Sequence, residues 1–319
     1  MAKRILKVTG AALLAASASS LAAAPASSPA GASPQAEVGF VEIEPGLSLR
    51  RMVLRNPKAK GTVLLLHGFP ETLFAWEQVS LGLAGEFEVH AFDWPGFGQS
   101  SRPAIGTFSY APRDYATVLA KYIETAAIDP SRLTIYATDI AGLPALLAAI
   151  DRPDLASTII VGDFAPFDRP NFMHERLQRL KAGPASDEAR VQLNANRDET
   201  LANAFTRGLA ADARFDLSAR FKADMASGWG QGQLTSADAF YHYYSHFTRD
   251  QEFLETNLQR LTTPLKVVWG AEDIYIDKQM GIEFARKAKA SLTLLAGVGH
   301  YAHLQSPGDV VAEIRATLP

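Results

Sequence analysis

Four short stretches of this chain combine reactive side chains with the small residues that sharp turns need. The first is Tyr-Ala-Thr-Asp-Ile-Ala-Gly at 136–142, which sets a carboxylate, Asp139, between a short apolar run and a longer one. Ala137 and Ala141 lie two residues to either side, and Gly142 comes next. A strand-to-helix turn tight enough to expose a nucleophile is crowded and needs small residues at those places. Pro144 falls in the first turn of the following helix, where a missing N–H matters little. An aspartate that merely caps a helix would account for the residue as well, so this stretch alone leaves both readings open.

The second stretch is His67-Gly68-Phe69-Pro70, directly after the apolar run Thr62–Leu66. A glycine-containing turn there can aim a backbone N–H at the Asp139 corner, making the N–H groups of Phe69 and Ile140 an expected oxyanion pair. The third is Trp269-Gly270-Ala271-Glu272-Asp273, where an acid past a strand can orient an imidazole. The fourth is Gly297-Val298-Gly299-His300, a glycine-flanked histidine placed to act as a base. Each signal is weak alone. Nucleophile, acid and histidine nevertheless follow in the order of one known chain plan, each after its own strand. His242 and His246, four apart, offer a metal-like pair, but no third ligand accompanies them.

The elements that must position these groups alternate. Strands are expected at 40–44, 47–54, 62–66, 87–92, 132–137 and 157–161, with helical spacing over 74–84, 110–127 and 142–150. The run Thr-Val-Leu-Leu-Leu at 62–66 has no polar alternation, as a strand covered on both faces requires. From 166 to 257 no good strand pattern appears, only helical segments. Alternation returns with strands at 265–269 and 292–295 and helices at 276–289 and 307–318. This predicts a mostly parallel sheet flanked by helices, with a helical cap (166–257) inserted into a core domain (37–165 and 258–319).

The chain resembles the α/β-hydrolase superfamily over roughly 38–319. HGFPETLFAW at 67–76 and DWPGFGQSSRP at 93–103 look like its epoxide hydrolase and dehalogenase branch, as do WGAEDIYI at 269–276 and GVGHYAHLQSP at 297–307. The resemblance implies that fold, with the cap after the sixth strand. It places the nucleophile on Asp139, the orienting acid on Asp273 and the base on His300. Asp163, in IIVGDFAP, occupies an alternative acid position of the same superfamily. The resemblance also implies cap tyrosines that protonate a leaving oxygen; FYHYYS at 240–245 puts Tyr244 first and Tyr243 second, although Ser245 stands where an arginine often follows. His67, Pro70, Trp76, His174 and Trp229 are expected around the substrate.

An aspartate is already ionised at neutral pH and can displace a leaving group from saturated carbon, forming an alkyl ester. The expected substrate is therefore a small epoxide or organohalide, with water as co-substrate and no cofactor or metal. Ile140 stands where dehalogenases commonly carry Trp or Arg for the halide, so an epoxide is favoured. An exported binding or signalling protein with a silent site is the remaining alternative.

Composition agrees. The 319 residues are 47% hydrophobic and 20% charged, enough for a sizeable core, and the net charge of -3 supplies no basic surface for nucleic acid. Residues 1–26 carry Lys3, Arg4 and Lys7, then a small apolar run ending in alanines, the layout of a secretory signal peptide. Residues 27–36 read as a flexible linker. An exported protein, periplasmic or secreted and not stably inserted in membrane, is expected. Losing those 3 of 31 basic residues leaves 28 against 34 acidic ones, a net of -6. With no cysteine, disulfides and thiolate chemistry are excluded.

Overall fold

The computed structural model describes residues 35–317 except 233, so the expected leader and all but the last two residues of the linker lie outside the described residues. The strands are β1 (Glu37–Glu44), β2 (Leu47–Leu54), β3 (Thr62–Leu66), β4 (Glu88–Phe92), β5 (Leu133–Thr138), β6 (Thr158–Gly162), β7 (Gly230–Gln231), β8 (Leu234–Thr235), β9 (Leu265–Gly270) and β10 (Ser291–Leu295). Eight of them form one sheet in the order β1-β2-β4-β3-β5-β6-β9-β10. β1 pairs with β2, and β2 with β4, antiparallel. All pairings from β4 to β10 are parallel.

Helices α1 (Glu77–Leu83), α2 (Pro112–Thr125) and α3 (Gly142–Asp151) connect the first strands. Between β6 and β9 come α4 (Glu175–Gln178), α5 (Ala185–Ala195), α6 (Arg197–Asn203), α7 (Ala219–Gly228), α8 (Ser236–Ser245) and α9 (Phe247–Asn257). The chain closes with α10 (Lys278–Ala288), α11 (Ala302–Gln305) and α12 (Pro307–Arg315).

The central strands bury both faces because their alternate residues enter separate cores. Leu64, Ile135, Ile159 and Val267 join one core, packed against α2, α3 and α10 through residues such as Leu119, Leu146 and Phe284. Leu65, Tyr136, Ile160 and Val268 join the other, with Val79 and Leu83 of α1 and Val310 and Ile314 of α12. That period of two, covered by helices on each side, explains why these strands lack the apolar–polar alternation of a half-exposed strand.

The cap differs from expectation in one respect. β7 and β8 form a small hairpin where no strand was expected, turned on Gly232 at φ +67°. Two-residue strands are too short to leave a period in the sequence. The cap is tied to the core by buried charge. The Arg50 guanidinium donates from Nε to Asp93 at 2.6 Å and from both terminal nitrogens to Asp224 of α7 at 2.7 Å. Arg102 reaches the carbonyls of Gly96 and Gly98 below and of Gly228 and Leu234 above.

Candidate active site

β5 ends at Thr138, and Asp139 begins the single tight turn that leads into α3. Its φ is +52°, in the left-handed region that costs an L-residue about 1–2 kcal/mol. A carboxylate held there is strained into place rather than resting on an ordinary cap. The crowding read from the sequence is present: Ala137 and Ala141 are fully buried. A Cβ on Gly68 would lie 2.4 Å from the Asp139 Cβ and 2.5 Å from its Oδ1, so only glycine lets the second turn approach the first.

The two carboxylate oxygens of Asp139 face different partners. Oδ1 accepts the Phe69 N–H at 2.7 Å. Oδ2 lies 3.1 Å from Nε2 of His300. Nδ1 of His300 lies 2.7 Å from Asp273 Oδ2, while Asp273 Oδ1 accepts the N–H groups of Tyr275 at 2.7 Å and Ile276 at 3.1 Å. Burial opposes a charge on His300, but Asp273 and Asp139 together outweigh it and hold the imidazole well above its usual range. The imidazole sits between two carboxylates that favour its charged form.

Both candidate acids converge on this histidine, since β6 and β9 are neighbours and their carboxyl ends lie side by side. Asp273, Asp163 and His300 are buried and offer ligating atoms within 4.8 Å of one another, the spacing of a metal site. Here those atoms are engaged with protein partners. Asp273 bonds the imidazole, and Asp163, at φ +48°, accepts the Gly270 N–H at 2.8 Å instead. Burial, then the charge of Asp273, raises the Asp163 carboxyl well above the usual range. Burial and the neighbouring carboxylate thus both favour the protonated form of Asp163.

The oxyanion turn is held from several sides. Burial lowers His67 below its usual range, so its imidazole is neutral, with Nδ1–H donating to the Gly68 carbonyl at 2.7 Å and Nε2 accepting the Trp94 N–H at 3.3 Å. Glu71 accepts the Gly68 N–H at 2.7 Å and is paired with His303 at 2.6 Å. Sequence reasoning missed Glu71; its signal was its place at the end of HGFPE. Ile140 makes no hydrogen bond from its N–H to the Asp139 carboxylate among the described residues; its carbonyl accepts the Tyr243 hydroxyl at 3.0 Å.

A cavity of about 380 Å³ opens onto Asp139 and His300. Its wall includes the apolar or aromatic Phe69, Pro70, Leu180, Leu193, Phe240 and Tyr275 and the polar Arg176, Gln192 and Glu199. Four expected pocket residues do not line it. His67 is fully buried beneath the turn, and Trp76 stacks on His303 in the opposite core. His174 caps α4, its Nδ1 accepting the Arg176 N–H at 3.2 Å. Trp229 packs on Phe69 with ring centroids 5.8 Å apart, outside the cavity wall.

The two tyrosines also differ from expectation. Neither is part of the cavity wall, to which Phe240 belongs, stacked on Phe69 with ring centroids 4.1 Å apart. Tyr243 has committed its hydroxyl to the Ile140 carbonyl. Tyr244 lies edge-on to Phe240 at 4.9 Å, and its hydroxyl has no partner among the described residues. Burial, then the charge of Asp139, raises its phenol well above the usual range. It is a protonated donor within electrostatic reach of the carboxylate.

Residues 63–314 match the family described as the alpha/beta hydrolase family. Epoxide hydrolase 4 of Mus musculus is 24% identical over 275 residues, covering 81% of this chain and 73% of that protein. The solved structure of Cfl2 from Burkholderia cenocepacia superposes with a TM-score of 0.73 at 20% identity, over 88% of this chain and 95% of the other. A haloalkane dehalogenase, the DbeA-M1 loop variant from Bradyrhizobium elkanii, superposes with a TM-score of 0.72 at 17% identity, over 89% and 96%. With the fold, the strained turn and the matched span in agreement, the chain belongs to the alpha/beta hydrolase family.

Proposed function

We propose that this hydrolase opens epoxides to vicinal diols through an alkyl ester on Asp139. The observation that carries the reading is the division of labour at a carboxylate that lines the cavity, with Oδ1 on the Phe69 N–H and Oδ2 beside His300 at 3.1 Å. Oδ2 attacks an epoxide carbon, and the C–O bond of the ring breaks. Tyr244, edge-on to Phe240 of the cavity wall, gives its proton to the departing oxygen as Phe240 yields, and recovers one from solvent before the next turnover. Oδ1 becomes the ester carbonyl oxygen, already at its hydrogen-bond donor.

Ester formation removes the charge of Asp139, one of the two carboxylates that keep His300 protonated. The imidazolium then gives its proton to solvent, and the neutral ring takes one from the attacking water. The hydroxide formed attacks Cγ, negative charge collects on Oδ1 opposite the Phe69 N–H, and the Cγ–Oδ2 bond breaks. Oδ2 leaves in the diol with the proton that His300 took from water, and the regenerated Asp139 carboxyl returns a proton to His300. Asp273 keeps the ring oriented throughout.

A protonated phenol suits an alkoxide leaving group, whereas a halide wants several N–H donors. The cavity wall contains no tryptophan among the described residues but does contain Arg176, Arg179, Gln192, Asn196 and Arg207, so the preference for the epoxide rests on the phenol. The name of the mouse relative points the same way. The test is a panel of epoxides assayed for diol beside a panel of haloalkanes assayed for halide. Diol formation from at least one epoxide is expected. Halide release without diol would replace the reading with dehalogenation, and inactivity on both panels would favour a silent binding protein. We also propose export directed by residues 1–26; N-terminal sequencing of protein recovered outside the cytoplasm should begin near residue 27.

A further inference from the structure

Glu71 and His303 are each 1% exposed, and neither lines the cavity. Their side chains meet at 2.6 Å although they lie 232 positions apart in the chain. Trp76 covers the His303 ring at 4.2 Å. Well-packed apolar residues would fill such a place at least as stably as a buried pair of ionisable groups. What the pair touches suggests why it is there. The other Glu71 oxygen accepts the Gly68 N–H, and Gly68 is bonded directly to Phe69, whose N–H donates to Asp139.

The turn can be followed peptide by peptide. The N–H of Gly68 goes to Glu71 Oε2. The Gly68 carbonyl accepts from His67 Nδ1 and from the Glu71 N–H at 3.2 Å. The Phe69 carbonyl accepts the Tyr301 hydroxyl at 3.0 Å. With both neighbours of the donor fixed, the Phe69 N–H has one direction to point. Burial disfavours the Glu71 charge, but His303 and the Gly68 N–H more than offset it and hold the carboxyl below its usual range. The acceptor at Gly68 is therefore an anion, which binds an N–H about twice as strongly as a neutral group does.

We propose that Glu71 and His303 form a positioning pair that aims the Phe69 N–H at the oxyanion, acting on hydrolysis of the ester and not on its formation. The inference rests on the ester reading for its kinetic part. The asymmetry follows from where charge moves. Attack by Asp139 withdraws charge from Oδ1, so a weakened donor does not slow that step. Hydrolysis puts a full negative charge on Oδ1, so a misaimed donor slows it.

The experiment is a quenched single turnover with an epoxide, scoring the Asp139 adduct and the diol by mass spectrometry, in wild type, Glu71→Gln, Glu71→Leu and His303→Gln. Ester formation should stay within about threefold in every variant, while ester hydrolysis slows about tenfold in Glu71→Gln and His303→Gln and on the order of 100-fold in Glu71→Leu. The adduct then accumulates. A proportional fall in both steps, or no change in the partition, overturns the proposal. If Glu71→Leu does not fold, the two Gln variants decide on the same criterion. If wild type forms no adduct, the ester reading has failed, and the resting enzyme still tests the pair. The Phe69 amide proton should move upfield in the Gln variants by NMR, and an unmoved resonance overturns the positioning role.

Discussion

Replacing Gly68 by alanine tests whether the meeting of two turns builds the site. The new methyl would lie 2.4 Å from the Asp139 Cβ, against at least 3.4 Å for ordinary contact. The turns must separate by about 1 Å. Asp139 cannot yield by rotating its side chain, because the closest atom is Cβ, fixed by a backbone already at φ +52°. The displacement falls instead on the Phe69 N–H, whose 2.7 Å bond to Oδ1 stretches toward 3.6 Å, where it ceases to be a hydrogen bond. Losing one oxyanion donor lowers turnover about 10²–10³-fold. Overpacking of this size costs roughly 1–3 kcal/mol of stability. The assay is kcat with an epoxide, alongside urea denaturation. Gly85→Ala, where nothing lies within 4 Å, is the control and should change neither. A folded Gly68→Ala enzyme with kcat within threefold of wild type would refute the reasoning.

Three further outcomes are expected. Arg50→Leu leaves Asp93 buried without its guanidinium and frees α7 from the core, so urea denaturation should show a loss of about 3–5 kcal/mol; a loss under about 1 kcal/mol would contradict the latch. Tyr244→Phe should lower the rate of ester formation about 100-fold, while Tyr243→Phe, which loses only a bond to a backbone carbonyl, should lower it less than tenfold; equal effects would reassign the donor. In Asp139→Asn the His300 imidazole loses one of its two anionic partners, so its pKa, read by NMR, should fall relative to wild type. Because the folded-state pKa is raised, His300 contributes stability that is full below its reference value of 6.5 and is lost as pH rises through the folded-state pKa. Asp139→Asn should therefore flatten that alkaline dependence, and an unchanged slope would count against the ion pair.

Much of the fold was legible because its signals are local. The Thr62–Leu66 run, buried on both faces, could only be an inner parallel strand, and its bounds agree with the observed ones. The turn at Asp139 could be read from Ala137, Ala141 and Gly142, which satisfy sterics within a few residues. What stayed hidden depends on chain segments far apart. Whether Asp163 or Asp273 orients His300 turns on two adjacent strand ends, and the answer is a hydrogen bond that no spacing encodes. His174 and Trp76 sit in suggestive motifs, yet local capping turns one away from the cavity and sheet sidedness turns the other. The Glu71–His303 pair spans 232 positions, and neither residue is unusual alone. The cap hairpin was too short to show a period.

The account stands or falls on the alkyl ester of Asp139. One turnover with an epoxide in 18O-enriched water, using enzyme in excess, measures it directly. Because hydrolysis breaks the Cγ–Oδ2 bond, the diol should carry unlabelled Oδ2 and the label should appear in the peptide containing Asp139. Label in the diol with none in Asp139 would mean that water attacks the substrate directly, and would contradict the account.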